Sequence, residues 1–160
     1  MSKIQTRSVI YVGVVIVVVV AVVVGILLAS HKSNKGGLST SQVAAAKAQI
    51  NSNWQKFFAA STTLSDREKL LQNGSQFADA MQQEFSALGS ASSSAGVTSI
   101  NVTSKDKASV TYTVYLNKQP VLNNQTGQAL LINNTWVVSD STLCGLLNMG
   151  GSRPSVCQAY

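Results

Sequence analysis

From Val9 to Ala29 the chain runs without a charged residue through Val, Ile, Leu, Ala and Gly, with Tyr11 near the start. No other stretch constrains the fold and address so strongly. At about 1.5 Å per residue, a helix of this length covers roughly 30 Å, the thickness of a bilayer's hydrocarbon core. A helix apolar on every side needs protein or lipid all around it, and the remaining chain is too short to wrap it. The run therefore reads as an uncleaved transmembrane anchor. A cleaved signal peptide is the competing reading, but its apolar region usually spans about 7 to 15 residues and ends in a small-x-small site. With Ala29 last in such a site, Leu27 falls where a small residue is wanted. Lys3 and Arg7 precede the span and Lys32 and Lys35 follow it, so the positive-inside rule leans towards an N-terminus inside. The expected organisation is a signal-anchor over 1–30, a polar tether over 31–37 and one extracytoplasmic domain over 38–160. Residues 9–29 would make the membrane contact of a single-pass protein of the cell membrane.

The formal charge of +6 invites a nucleic-acid partner until its location is checked. Four of the basic residues flank the apolar run, and from Leu38 onward eight basic residues face six acidic ones, a net +2 spread along the chain. Phosphate recognition needs Lys and Arg clustered on one face, so no nucleic acid is expected. About 120 residues remain for the domain, enough to bury one core.

Ser39 and Gln42 have the spacing of a capping box, which satisfies free backbone N–H groups at a helix start. Val43, Ile50, Trp54, Phe57 and Phe58 then recur along one helical stripe. After a break over 61–63, Ser65 with Glu68 repeats the capping spacing before Leu70 and Leu71. Asn73-Gly74 supplies residues that tolerate a left-handed helix end, and Ser75 can cap a third helix bearing Phe77, Met81, Phe85 and Leu88. The Gly- and Ser-rich stretch over 89–96 reads as a flexible connector.

Beyond it the period changes to two. Val110, Tyr112, Val114 and Leu116 alternate with Thr111, Thr113 and Tyr115. Strands are expected near 97–103, 108–116, 127–132 and 135–140, with turns at Asn117-Lys118 and Asn133-Asn134, while Pro120 argues against a central strand. Helices first and strands second imply an α+β fold, its helices packed on one face of a curved four-stranded antiparallel sheet. Leu143, Leu146 and Leu147 add a short C-terminal helix.

Cys144 and Cys157 are the two cysteines, and Gly150-Gly151 and Pro154 between them can fold the tail back. They read as a disulfide, which needs an oxidising compartment and would contribute about 3 kcal/mol by closing the loop. Two free thiols are the alternative. A metal site would have only half a zinc shell.

Several runs also carry a family resemblance. They are Ala108 to Leu116, Gln119-Pro120-Val121-Leu122, Gln125-Thr126-Gly127, Trp136-Val137-Val138-Ser139, Thr142-Leu143-Cys144 and Pro154 to Cys157, with Asp66, Leu70, Gly74 and Phe77 before them. Over about residues 64–157 the chain resembles exported actinobacterial proteins similar to the low-molecular-weight mycobacterial antigen MTB12 and related lipoproteins. That resemblance implies an α+β fold of the cystatin or nuclear-transport-factor-2 (NTF2) class and export across the membrane, and it brings no enzymatic activity with it. The chain departs from the lipoprotein pattern in lacking an N-terminal Cys for lipid attachment. It also carries Asn133-Asn134 where relatives have a Gly-containing turn.

His31 is the sole histidine and lies in the tether, so Ser-His-Asp and Cys-His catalysis and His-based metal binding have no candidate. No catalytic residue, metal or cofactor is assigned. Asn73, Asn101, Asn124 and Asn133 begin Asn-x-Ser/Thr sequons and are taken as polar turn and strand residues. If the fold encloses a concavity, Trp54, Tyr112, Tyr115 and Trp136 are the candidates for lining it, although as bulky residues they serve equally as core. The function expected is a membrane-anchored binding or accessory module without catalysis, contacting an envelope protein or an apolar small molecule. The alternatives are a pocket enzyme of isomerase or dehydratase type, which requires a buried Asp beside a Tyr, and a structural spacer.

Overall fold

In the computed structural model, which describes residues 37–160, the capping box forms as its spacing implies. The Ser39 hydroxyl accepts from Gln42 N at 3.3 Å and Ser39 N donates to the Gln42 side chain at 2.9 Å. From it runs α1 (Thr40–Phe58), which turns Ala46, Ile50, Trp54, Phe57 and Phe58 inward. The anchor expected at 9–29 and most of the tether lie outside the described residues. Among the described residues no helix is long and apolar enough to cross a membrane. Gly37–Tyr160 is one compact unit. Its core and both cysteines lie inside it, so it carries what it needs to fold by itself.

The cap of the second helix falls two residues earlier than expected, and it is a single N-cap bond and not a capping box. Thr63, not Ser65, caps α2 (Leu64–Glu68), its hydroxyl accepting from Asp66 N at 3.2 Å. That register points Arg67 inward. Asn73 and Gly74 are not a left-handed helix end, since Asn73 has φ −125° and Gly74 is not among the positive-φ glycines. The glycine is there for close approach, because a Cβ would run into the backbone of Glu68. A single 3-10 turn, Gly74–Phe77, then leads into α3 (Ala78–Ala87) without a side-chain cap, so Ser75 does not fill that role.

Four strands follow as a meander, β1 (Ser93–Val102), β2 (Lys107–Leu116), β3 (Gln119–Ile132) and β4 (Thr135–Val138), all neighbours antiparallel in the order of the chain. The supposed connector over 89–96 is half strand. Ser93 pairs with Leu116, and both Ser93 and Ala95 are buried. A long β2 needs a partner along its whole length, and small residues fill that partner as well as large ones. Likewise β3 starts at Gln119 and includes Pro120. Because β4 reaches only residues 129–132 of β3, Pro120 sits on an edge, where a missing N–H breaks no second ladder. Asn117-Lys118 and Asn133-Asn134 all take positive φ, between 48° and 65°, as two-residue hairpin turns require.

Register aligns the inward rows. Val102, Ala108, Ala129 and Val138 form one, and Ile100, Val110 and Gly127 the next. Gly127 lets two elements touch the sheet. A Cβ there would stand 2.6 Å from Thr142 and 2.9 Å from the Trp54 ring. Outside β4, Val138 exchanges backbone hydrogen bonds with Leu70 and Gln72, so that edge is covered. The short C-terminal helix forms as α4 (Asp140–Met149). Ser139 caps it, accepting from Thr142 N at 3.2 Å. A 3-10 turn, Ser155–Cys157, ends in the Cys144–Cys157 disulfide, with Cα atoms 5.4 Å apart.

Candidate functional site

Met81, Glu84, Phe85 and Leu88 recur at helical steps along α3, and Leu143, Leu146, Leu147 and Gly150 do the same along α4 and its end. Between these two stripes, the end of α1 and the β2–β3 hairpin lies a cavity of about 250 Å³. Its floor is buried and almost wholly apolar, made of Phe57, Phe58, Met81, Val114, Leu143 and Leu147. The hairpin contributes through an irregularity. The pairing slips by one residue between Val114↔Leu122 and Tyr115↔Pro120, so Val121 is an extra residue and the consecutive side chains Val121 and Leu122 both reach the cavity.

Polar groups on this lining are few. Ser93 lies at its base, but its hydroxyl donates to Phe58 O at 2.7 Å and is satisfied. At the rim stands Glu84, half-buried, the one charged residue among the lining side chains. The Ser152 hydroxyl donates to it from the disulfide-closed loop. The acid was not singled out from sequence, because its helical position looks like any solvated face until α4 packs opposite.

Behind Phe85 lies a second residue that sequence reasoning passed over. Arg67 is 3% exposed and, among the described residues, has no carboxylate partner. Its guanidinium donates to Phe57 O at 2.7 Å, Ala59 O at 2.6 Å and Thr62 O at 3.1 Å, and stacks 3.5 Å from the centre of the Phe85 ring. It thus neutralises the carbonyl end of α1. Burial pulls its pKa below the usual arginine value.

A third missed group is Asp140, fully buried at the start of α4. Asn73 donates to it twice, from the backbone at 3.1 Å and the side chain at 2.5 Å, and the Tyr160 hydroxyl donates at 2.8 Å. That bond raises the pKa of the Tyr160 phenol. The Asp–Tyr pair answers in kind to what an isomerase would need, yet Asp140 does not line the apolar cavity and its donors tie it to the frame.

The four aromatic candidates are not brought together. Trp54 and Tyr112 are each 1% exposed and pack edge to face, their centres 5.2 Å apart. Burial raises the Tyr112 phenol well above its ordinary value. Trp136 lines a different groove of about 280 Å³ with Leu38, Ala46 and Leu131, its backbone held by Asn53 and Gln49. Tyr115 alternates to the other face of the sheet and lies over Gly96. None of the four is on the lining of the apolar cavity. The cysteines do meet, as a disulfide that ties the tail to α4. Among the described residues no three His, Cys, Asp or Glu side chains gather where they could hold a metal.

Compared with known families, the chain matches the model for the low molecular weight antigen MTB12, C-terminal domain, over residues 42–154. The match begins in α1, well before the stretch that carries the resemblance in the sequence. No curated protein and no solved structure matches the chain. A match over most of the polypeptide, on a domain whose helices, meander and cysteine pair all fall within or beside it, shows that this chain belongs to the MTB12 C-terminal domain family.

Proposed function

We propose that the protein is a membrane-anchored, extracytoplasmic binding module that acts without catalysis, taking an apolar small molecule into the cavity between α3, α4 and the β2–β3 hairpin. The observation that carries this reading is an almost wholly apolar hollow, buried at its floor and open at its rim. Protein interiors are packed to crystal density, and a void costs the contacts its walls forgo. A ligand restores them. At about 30 Å³ per small group, the share of one water in the liquid, the cavity holds about eight non-hydrogen atoms.

The apolar run over 9–29 supports the anchor. The disulfide supports the extracytoplasmic side, since such bonds persist in oxidising compartments. The long helix against an antiparallel meander supports placement in the cystatin or NTF2-like class. A protein partner is the weaker choice, because the large apolar side chains left exposed among the described residues are Val121, Met149 and Tyr160, far short of a docking face. The isomerase reading would need an acid and a Tyr within one cavity, and here the lining holds Glu84 without a Tyr.

Titration of the oxidised 37–160 domain with straight-chain alcohols from butanol to decanol, followed by amide NMR, tests the reading. Affinity should rise about fourfold per methylene and level off near octanol. Shifts should centre on Leu88, Leu116 and Leu146, and Leu146→Trp should abolish them. Weak shifts scattered over the surface, without saturation or length dependence, would remove the cavity as the functional site.

A further inference from the structure

Resting on that reading, we infer that the cavity selects single-chain amphiphiles whose head donates hydrogen bonds and carries no negative charge, and that Glu84 is the residue that sets this preference. The burial gradient of the lining fixes the orientation. Phe57, Met81, Leu143 and Leu147 at the floor are at most 8% exposed, whereas Leu88, Leu116, Leu146 and Glu84 at the rim are half-buried. An apolar tail therefore fills the floor and leaves its head at the rim.

There the head meets one charged group. Among the described residues Glu84 is the only acid on the lining, and no Lys, Arg or His side chain lies on it. A carboxylate has room for about four hydrogen bonds. Ser152 supplies one to Glu84, leaving acceptor capacity for a ligand's N–H or O–H. A carboxylate or phosphate head would bring a like charge to this half-buried acid, where water screens less than in bulk. Arg67 does not reverse the sign. It lies on the far side of the Phe85 ring, with its donors directed at three carbonyls at the end of α1. An ammonium gains both charge and hydrogen bond, a hydroxyl gains the bond alone, and an anion gains neither.

The experiment compares octylamine, octanol and octanoate, which share a tail, by calorimetric titration of the oxidised 37–160 domain, its Glu84→Gln variant and its Ser152→Ala variant. The expected order is octylamine, then octanol, then octanoate, with at least about tenfold between first and last, as one charge-assisted hydrogen bond implies. In Glu84→Gln, which keeps shape and acceptor oxygen, the span should shrink to about twofold. In Ser152→Ala it should hold or widen, because the carboxylate loses its competing donor. Octanoate binding as tightly as octylamine, or a preference that survives Glu84→Gln, would overturn the head-group assignment while leaving the cavity as a binding site. No saturable binding of any of the three would overturn both.

Discussion

The two ends of the inward sheet face are filled by opposite means. Over the last turns of α1, on the sheet side, Trp54, Phe58 and Tyr112 lock ring against ring, with centres 5.2 to 6.5 Å apart, and Gly127 is stripped of a side chain so that Trp54 and Thr142 can fit. Between α3 and α4, leucines, a methionine and the Phe57–Phe58 edge surround a void. The difference teaches where to look for a site in such a domain. Rings interlocked with one another close the core, and aliphatic side chains facing one another across α3 and α4 leave room above the Phe57–Phe58 edge.

Truncation should hurt most at the shut end. Trp54→Ala should cost about 4 kcal/mol in denaturant unfolding, as for other buried large aromatics. A loss below about 1 kcal/mol would show that the ring cluster is loose and the contrast mistaken. Trp54 also has an indole N–H with no partner among the described residues. Trp54→Phe should therefore cost much less than the alanine, since it removes an unsatisfied donor along with some volume.

Next in size is the wall of the open end. Replacing Cys144 and Cys157 together by Ser should lower stability by about 3 kcal/mol, and it should weaken alcohol binding because Leu146, Leu147 and Ser152 lie inside the closed loop. Thermal melting with and without reductant checks the first part. Gly127→Ala should then cost about 2 kcal/mol by overpacking against Trp54 and Thr142. The same kind of change at the other end should have the opposite sign. Leu146→Phe, which adds volume into the void, should raise stability by about 1 kcal/mol. Destabilisation by both would mean that the cavity is already full in solution.

A smaller effect depends on pH. The raised phenol of Tyr160 gives a contribution that is complete below its ordinary value of 10.0 and is lost as pH climbs through the folded value. Tyr160→Phe should lower the neutral-pH plateau by that contribution and remove the alkaline step, which a stability–pH profile would reveal.

Much of the frame was legible because it rests on local chemistry. The Ser39–Gln42 box, the alternation from Val110 to Leu116, the paired Asn turns and the cysteine pair each carry their reason within a few residues. What escaped needs distant partners. Asp140 meets Asn73 across 67 positions, Arg67 seeks carbonyls that have no sequence signature, and Glu84 becomes a rim residue only once α4 lies opposite. Pro120 misled because its cost depends on whether a strand has one neighbour or two. Gly127 was a usable signal, since a lone glycine in a strand pattern marks a close approach. The cavity had none, being a shortage of volume rather than a pattern of residues.

The bond between Cys144 and Cys157 has one more consequence. The turn from Gly150 to Arg153 is mostly exposed and offers a cutting point to any protease in the surroundings. A single nick there would release nothing. Both pieces stay covalently joined, Tyr160 remains beside Asp140, and the clipped domain would migrate as one species until a reducing agent splits it.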